Sequence, residues 1–209
     1  LSVTDSDGKQ IVDPHIVESI VQFRDGVQKD GTIDVYWWYD DGGLTLLLPH
    51  ILQTRSKYRK CKLRVFFLSR DPTAVTAELQ TMTALLSKFR IDFDDVIMVP
   101  DATNKPCKRT REEFEKIMDT FGNDLASNDI KTHQEKTSFY LRTAEIVREF
   151  SRGGGTSLIV MTLPVPPSMR FAGHVPGALY IAWLDFITKR MPPFLFVRGN
   201  QTSVMTFYN

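Results

Sequence analysis

Residues 32–48 read TIDVYWWYDDGGLTLLL, and no other stretch narrows the possible folds as far. Ile33, Val35, Tyr36, Trp37, Trp38 and Tyr39 form a β-branched and aromatic run that stops at Asp40-Asp41-Gly42-Gly43, after which leucines follow. A short apolar run closed by turn residues is a buried strand, and the leucine-rich segment behind it is a helix, so the passage predicts strand, tight turn and helix in succession. Two acids and two glycines are thereby left at the carboxyl end of a strand, where open α/β sheets keep their ligands.

The pattern recurs along the chain. Strands are predicted at 32–39, 63–69, 95–99, 157–163 and 194–198, with a further edge strand at 204–208. Helices are predicted from the capping pair Asp13-Pro14, over 44–54 with Pro49 as a complication, from Asp71-Pro72 to about 90, over 112–121, over 134–151 and over 174–191. Gly153-Gly154-Gly155 and Pro192-Pro193 stop the last two. Strands alternating with helices require crossover connections and a mostly parallel sheet, and near-continuous apolar strands require helices on both faces. The expected fold class is therefore α/β, a doubly wound, mostly parallel five-stranded sheet in the order 3-2-1-4-5. Residues 1–12 read as a flexible lead-in, and 13–209 as a single α/β unit with a mobile insertion near 101–133.

An apolar content of 42% supplies a core and argues against general disorder, and a formal net charge of +1 argues against a global nucleic-acid binder. The charge is unevenly spread, since no acid stands between Asp41 and Asp71. Arg55, Lys57, Arg59, Lys60, Lys62 and Arg64 form a basic contact patch there, suited to lipid headgroups, an acidic partner segment or RNA. The plainer reading is a solvated helix end, whose cations complement the helix dipole. A membrane-facing or domain-facing contact is the preferred functional alternative.

Cys61 and Cys107 form no C-x-x-C pair, and His15, His50, His133 and His174 are scattered without the i, i+4 spacing of a zinc helix, so no metal, cofactor or disulfide is expected, and a reducing compartment is the simpler setting. The longest apolar run, around 178–187, is interrupted by Asp185 and is too short to span a bilayer. The chain opens on Leu1 without a signal peptide, which suggests a soluble piece of something longer.

Asp40, Asp41, Gly42 and Gly43 are the candidate nucleotide or anion site, because paired carboxylates can hold Mg²⁺ and a glycine-rich helix start can cradle phosphate. The structural alternative is a turn needing positive φ at glycine, followed by helix capping by an aspartate. It is favoured because no G-x-x-x-x-G-K-[ST] places a lysine for phosphates, and adjacent anions at the helix entrance repel one. No nucleophile elbow or thiol-enzyme signature is present, so no enzyme is expected. Arg148-x-x-Ser151 and Lys108-Arg109-Thr110 have the form of basophilic kinase sites, and a phosphate on Ser151, at a helix C-terminus, would fray it.

The wording of several segments, DGGLTLLLP, LLSKFRIDF, LIVMTLPV and VRGNQTSVMTFYN, resembles the C-terminal half of the cytosolic domain of cation-chloride cotransporters. The sodium-coupled (Na-K-Cl or Na-Cl) branch fits best, since potassium-chloride members tend to carry another glycine where Asn200 stands. The resemblance runs with gaps from about Val12 to Asn209. It implies a universal-stress-protein-like fold, on the cytoplasmic face of the plasma membrane in a multi-pass symporter moving chloride with sodium and/or potassium. It further implies a regulatory role in dimerisation, trafficking and control of transport. The implied partners are a second copy of the domain, the other cytosolic half, the membrane domain and regulatory kinases, with no nucleic acid. Some universal-stress-type proteins bind ATP through a G-x-x-G spacing that 164–180 lacks, so a free-standing nucleotide-binding protein of that type is the alternative rather than the first reading.

Overall fold

Side chains alternate along the strand Thr32–Trp37 (β1), and each of its two faces is covered by a different set of helices. The structure, a computed structural model, describes residues 3–4, 10–11, 17, 20–21, 30–38, 41–68, 75–99, 104–120, 131–153, 155–164, 175–199 and 202. After β1 come Leu44–Gln53 (α1), Lys62–Leu68 (β2), Val75–Lys88 (α2), Asp95–Val99 (β3) and Lys108–Thr120 (α3). Gln134–Ser151 (α4), Thr156–Thr162 (β4), Gly177–Thr188 (α5) and Phe194–Val197 (β5) complete the described unit. The five strands pair in the order β3-β2-β1-β4-β5, all parallel, as the alternation of elements predicts. Val3–Thr4 and Gln10–Ile11 pair antiparallel in a separate two-stranded sheet.

Ile33 and Val35 of β1, with Leu63 and Val65 of β2 and Leu158 and Val160 of β4, face α1 and α2 through Leu46 and Leu86. Tyr36, Phe66, Ile159 and Met161 point the other way, into a cluster with Phe114, Leu141, Val147, Trp183 and Phe186 from α3, α4 and α5. Every residue of β4 is buried, as befits a central strand under helices on both sides. Because α1 leaves β1 toward one face and α5 leaves β4 toward the other, the chain diverges between the carboxyl ends of β1 and β4. That divergence opens the crevice in which doubly wound folds place ligands.

Differences from expectation have local causes. α1 continues through the buried Pro49, forgoing the hydrogen bond that a proline cannot donate. α3 begins at Lys108 rather than 112, because its polar first turn is held by α4 and not by an apolar stripe of its own: the Cys107 N–H donates to the Glu145 carboxylate at 2.7 Å. Val17, Ile20 and Val21 are helical within the helix expected from Asp13-Pro14. The rest of that helix, the core of the expected insertion at 121–130 and the edge strand at 204–208 lie outside the described residues.

Candidate functional site

At the carboxyl end of β1, Gly42 and Gly43 take φ of 77° and 87°, a conformation that side-chain-bearing residues resist, so the turn into α1 depends on them. Asp41 is buried at 4% exposure, and its carboxylate accepts from the Gly43 N–H at 3.2 Å, the Thr45 N–H at 2.9 Å and the Thr45 hydroxyl at 2.5 Å. Across the crevice the Thr45 hydroxyl lies 3.5 Å from that of Thr162, at the end of β4. Gly199 closes the same place from β5: a Cβ there would collide with the backbone carbonyl of Asp41. Two N–H groups at the start of α1, those of Gly43 and Thr45, which in a nucleotide-binding fold could receive a phosphate, are thus engaged by the chain's own anion. Of the four residues predicted for the site, Asp41, Gly42 and Gly43 come together as cap and turn, while Asp40 lies outside the described residues.

The opposite end of the same strand holds a polar cluster that sequence reasoning missed. Asp34 is fully buried and stands opposite Arg64 in the β1–β2 register. Arg64 approaches it bidentately, Nε donating at 2.8 Å to one oxygen and the guanidinium NH2 at 2.6 Å to the other. The second oxygen also accepts from the hydroxyls of Ser151 at 2.5 Å and Thr156 at 2.8 Å. Since the single Ser151 proton is spent on Asp34, Tyr36 donates in the 2.7 Å contact between the two hydroxyls. The Arg64 guanidinium donates further to the Phe150 carbonyl and sits 5.4 Å from the Phe66 ring centre, with Tyr36 stacked on Phe66 at 4.6 Å. The hydrogen bonds to Asp34 raise the Arg64 guanidinium above its ordinary value against the cost of burial, and burial raises the Tyr36 phenol. The signal was present in TIDVYW and KLRVFF, where Asp34 and Arg64 each stand between apolar residues at the third position of the strand.

This cluster redraws two of the predicted sites. Arg64 turns inward to Asp34 and leaves the basic patch, whereas Arg55, Lys57, Arg59 and Lys60, between α1 and β2, and Lys62, the first residue of β2, are exposed. Ser151 is fully buried in the last turn of α4, and Thr110 is buried in the first turn of α3. A kinase could reach Ser151 only if that turn opened, and a phosphate there would face Asp34. Cys61 is a buried thiol, pushed up by burial, and Cys107 is exposed. Among the described residues no group of three or more His, Cys, Asp or Glu side chains converges as a metal site, and no helix is long and apolar enough to cross a membrane.

The comparisons with known proteins agree with the resemblance in the wording. The family model of Solute carrier family 12 matches residues 2–209. A relative named bumetanide-sensitive sodium-(potassium)-chloride cotransporter, from Manduca sexta, is 41% identical over 87% of this chain and 17% of its own length. Solute carrier family 12 member 2 of Squalus acanthias is 38% identical over 95% of the chain and 18% of its own length. Solute carrier family 12 member 1 of Homo sapiens is 37% identical over 93% and 19%. The chain spans less than a fifth of the length of these curated relatives. With a family match over nearly every residue, the chain belongs to solute carrier family 12.

Proposed function

We propose that the chain is the non-enzymatic regulatory part of a symporter that couples chloride to sodium and/or potassium, lying on the cytoplasmic face of the plasma membrane within a multi-pass protein. It acts by docking. Its helix faces and sheet edges contact a second copy, the other cytosolic half and the membrane domain, and shift the population of transport-competent arrangements through interfaces that differ between states. The relatives' names support the transport setting. The observation that carries the regulatory reading lies at the carboxyl end of β1: where this fold would seat a phosphate, the Gly43 and Thr45 N–H groups already serve the Asp41 carboxylate, and Gly199 packs against the Asp41 carbonyl. Regulatory kinases, if they act at Ser151, act on an opened α4 terminus.

The test is made in the complete symporter. Deleting residues 30–199 is expected to reduce surface density and the dimer fraction trapped by cross-linking, while the transporters that remain at the surface keep the parent's KM for each ion. A shifted ion KM with intact dimers and trafficking, or nucleotide turnover that disappears with the deletion, would count against the reading.

A further inference from the structure

The outer surfaces of α3, α4 and α5 meet in a groove of about 730 Å³, remote from the crevice and unused by the function above. Six cations line it: Arg109 and Lys116 from α3, Arg148 and Arg152 from the end of α4, and Lys189 and Arg190 just beyond α5. Among the described residues two acids, Glu113 and Asp185, answer them. Glu113 is already divided between Arg109 at 3.1 Å and Arg148 at 3.9 Å. Part of the excess has a local explanation, because Arg152, Lys189 and Arg190 lie at helix C-termini, where cations complement the dipole. Arg109 has no such help from the dipole, which disfavours a cation in the first turn of α3, and its one local partner among the described residues is the Glu113 it shares with Arg148. Lys116, well inside the helix, gains nothing from either end.

Arg148 is held in place within this groove. Its guanidinium lies 4.3 Å from the Phe186 ring centre, donates to the Phe186 carbonyl at 2.8 Å, and its side chain is 19% exposed. Burial lowers its proton affinity; the pull of Glu113 opposes this and the repulsion of Arg152 adds to it. A cation so placed is stabilised by an arriving anion. Beside it Ile181 is 54% exposed, an apolar surface within a charged groove.

We propose that this groove docks an acidic protein segment, with carboxylates meeting Arg148, Arg152, Lys189 and Arg190 and an aliphatic side chain covering Ile181. The concavity between three helices suits a peptide rather than a flat bilayer, which would meet the exposed rim cations and not Arg148. Among the described residues the groove offers no open aromatic face for bases, since Arg148 already covers Phe186. The inference rests on the groove itself and stands whether or not the transport reading holds.

The experiment uses the complete polypeptide that contains this chain, purified, with fluorescence anisotropy of a labelled (Glu-Glu-Leu)₄ peptide. Saturable binding is expected, weakening with salt as exposed charges are screened. The (Gln-Gln-Leu)₄ peptide, and the variant Lys189→Glu/Arg190→Glu, should each bind at least about tenfold more weakly, several surface charges of a few-fold each being removed or reversed. Should that variant melt at lower temperature than the parent, Lys116→Ala/Lys189→Ala, which alters exposed side chains only, is read instead and should still weaken the acidic peptide several-fold. No saturable binding, equal binding of the two peptides, an unweakened folded variant, or tighter capture of phosphatidylserine vesicles or an RNA homopolymer than of the peptide would overturn the proposal.

Discussion

A buried carboxylate survives only where its charge is met, and Asp34 is met by four donor groups. The arrangement ties β1, β2, the end of α4 and the start of β4 to a single point, so it specifies register as well as adding stability. Arg64→Met leaves the Asp34 charge without its counter-ion and should cost about 3–5 kcal/mol. Adding Asp34→Asn keeps an acceptor for Ser151 and Thr156 while removing the stranded charge, so the double variant should be more stable than Arg64→Met alone. Urea midpoints for both single variants and the double close the cycle, and additive effects would show that the two residues do not act together. The sequence displays both charges inside apolar strands. It does not display Ser151 or Thr156 as their companions, because those reach Asp34 only once α4 and β4 are folded over the sheet.

Between helices, a polar joint centred on Glu145 sets α3 on α4. Glu145 accepts from the Cys107 backbone at 2.7 Å and from Arg142 at 2.8 Å, and it bonds the Thr110 side chain. Burial alone would raise this carboxyl, but the donors outweigh it and hold it below its ordinary 4.5. A depressed folded value means stability that is fully present above 4.5 and lost as pH falls through the lower folded value. Glu145→Gln should therefore destabilise the chain near neutral pH, with the gap to the parent narrowing in acid. Urea midpoints of the two proteins across the acid range check this, and a gap independent of pH would reject it. The five strands and their order were legible because buried parallel strands are written as unbroken β-branched and aromatic runs, and helices between them leave few topologies. The first turn of α3 was not legible, since KRTR has no apolar period and is helical because Glu145 holds it from another element. Asp41 as a cap was one of two readings that DDGG allowed. Gly199 as its neighbour was not visible, because that contact crosses the sheet from β5 to β1.

For the molecule as a whole, the fold offers an ordinary ligand crevice and engages its helix donors from within, while among the described residues clustered cations lie outside it, along the α3–α4–α5 groove and the α1–β2 loop. Two features oppose a phosphate there, the Asp41 carboxylate on the Gly43 and Thr45 donors and the packing of Gly199 against the Asp41 carbonyl. These two barriers can be separated. Calorimetric injection of ATP with Mg²⁺ into the parent should give heats of dilution only, and a clear micromolar isotherm would contradict both. Asp41→Ala removes the carboxylate but not the carbonyl; it should lose about 1–2 kcal/mol of stability as the cap disappears. If charge alone barred a phosphate, the freed N–H groups of Gly43 and Thr45 would form an anion site and this variant would gain nucleotide binding. Because Gly199 stays packed against the Asp41 carbonyl in this variant, it should remain as silent in the calorimeter as the parent, which would mark the crevice as scaffold rather than as a dormant site.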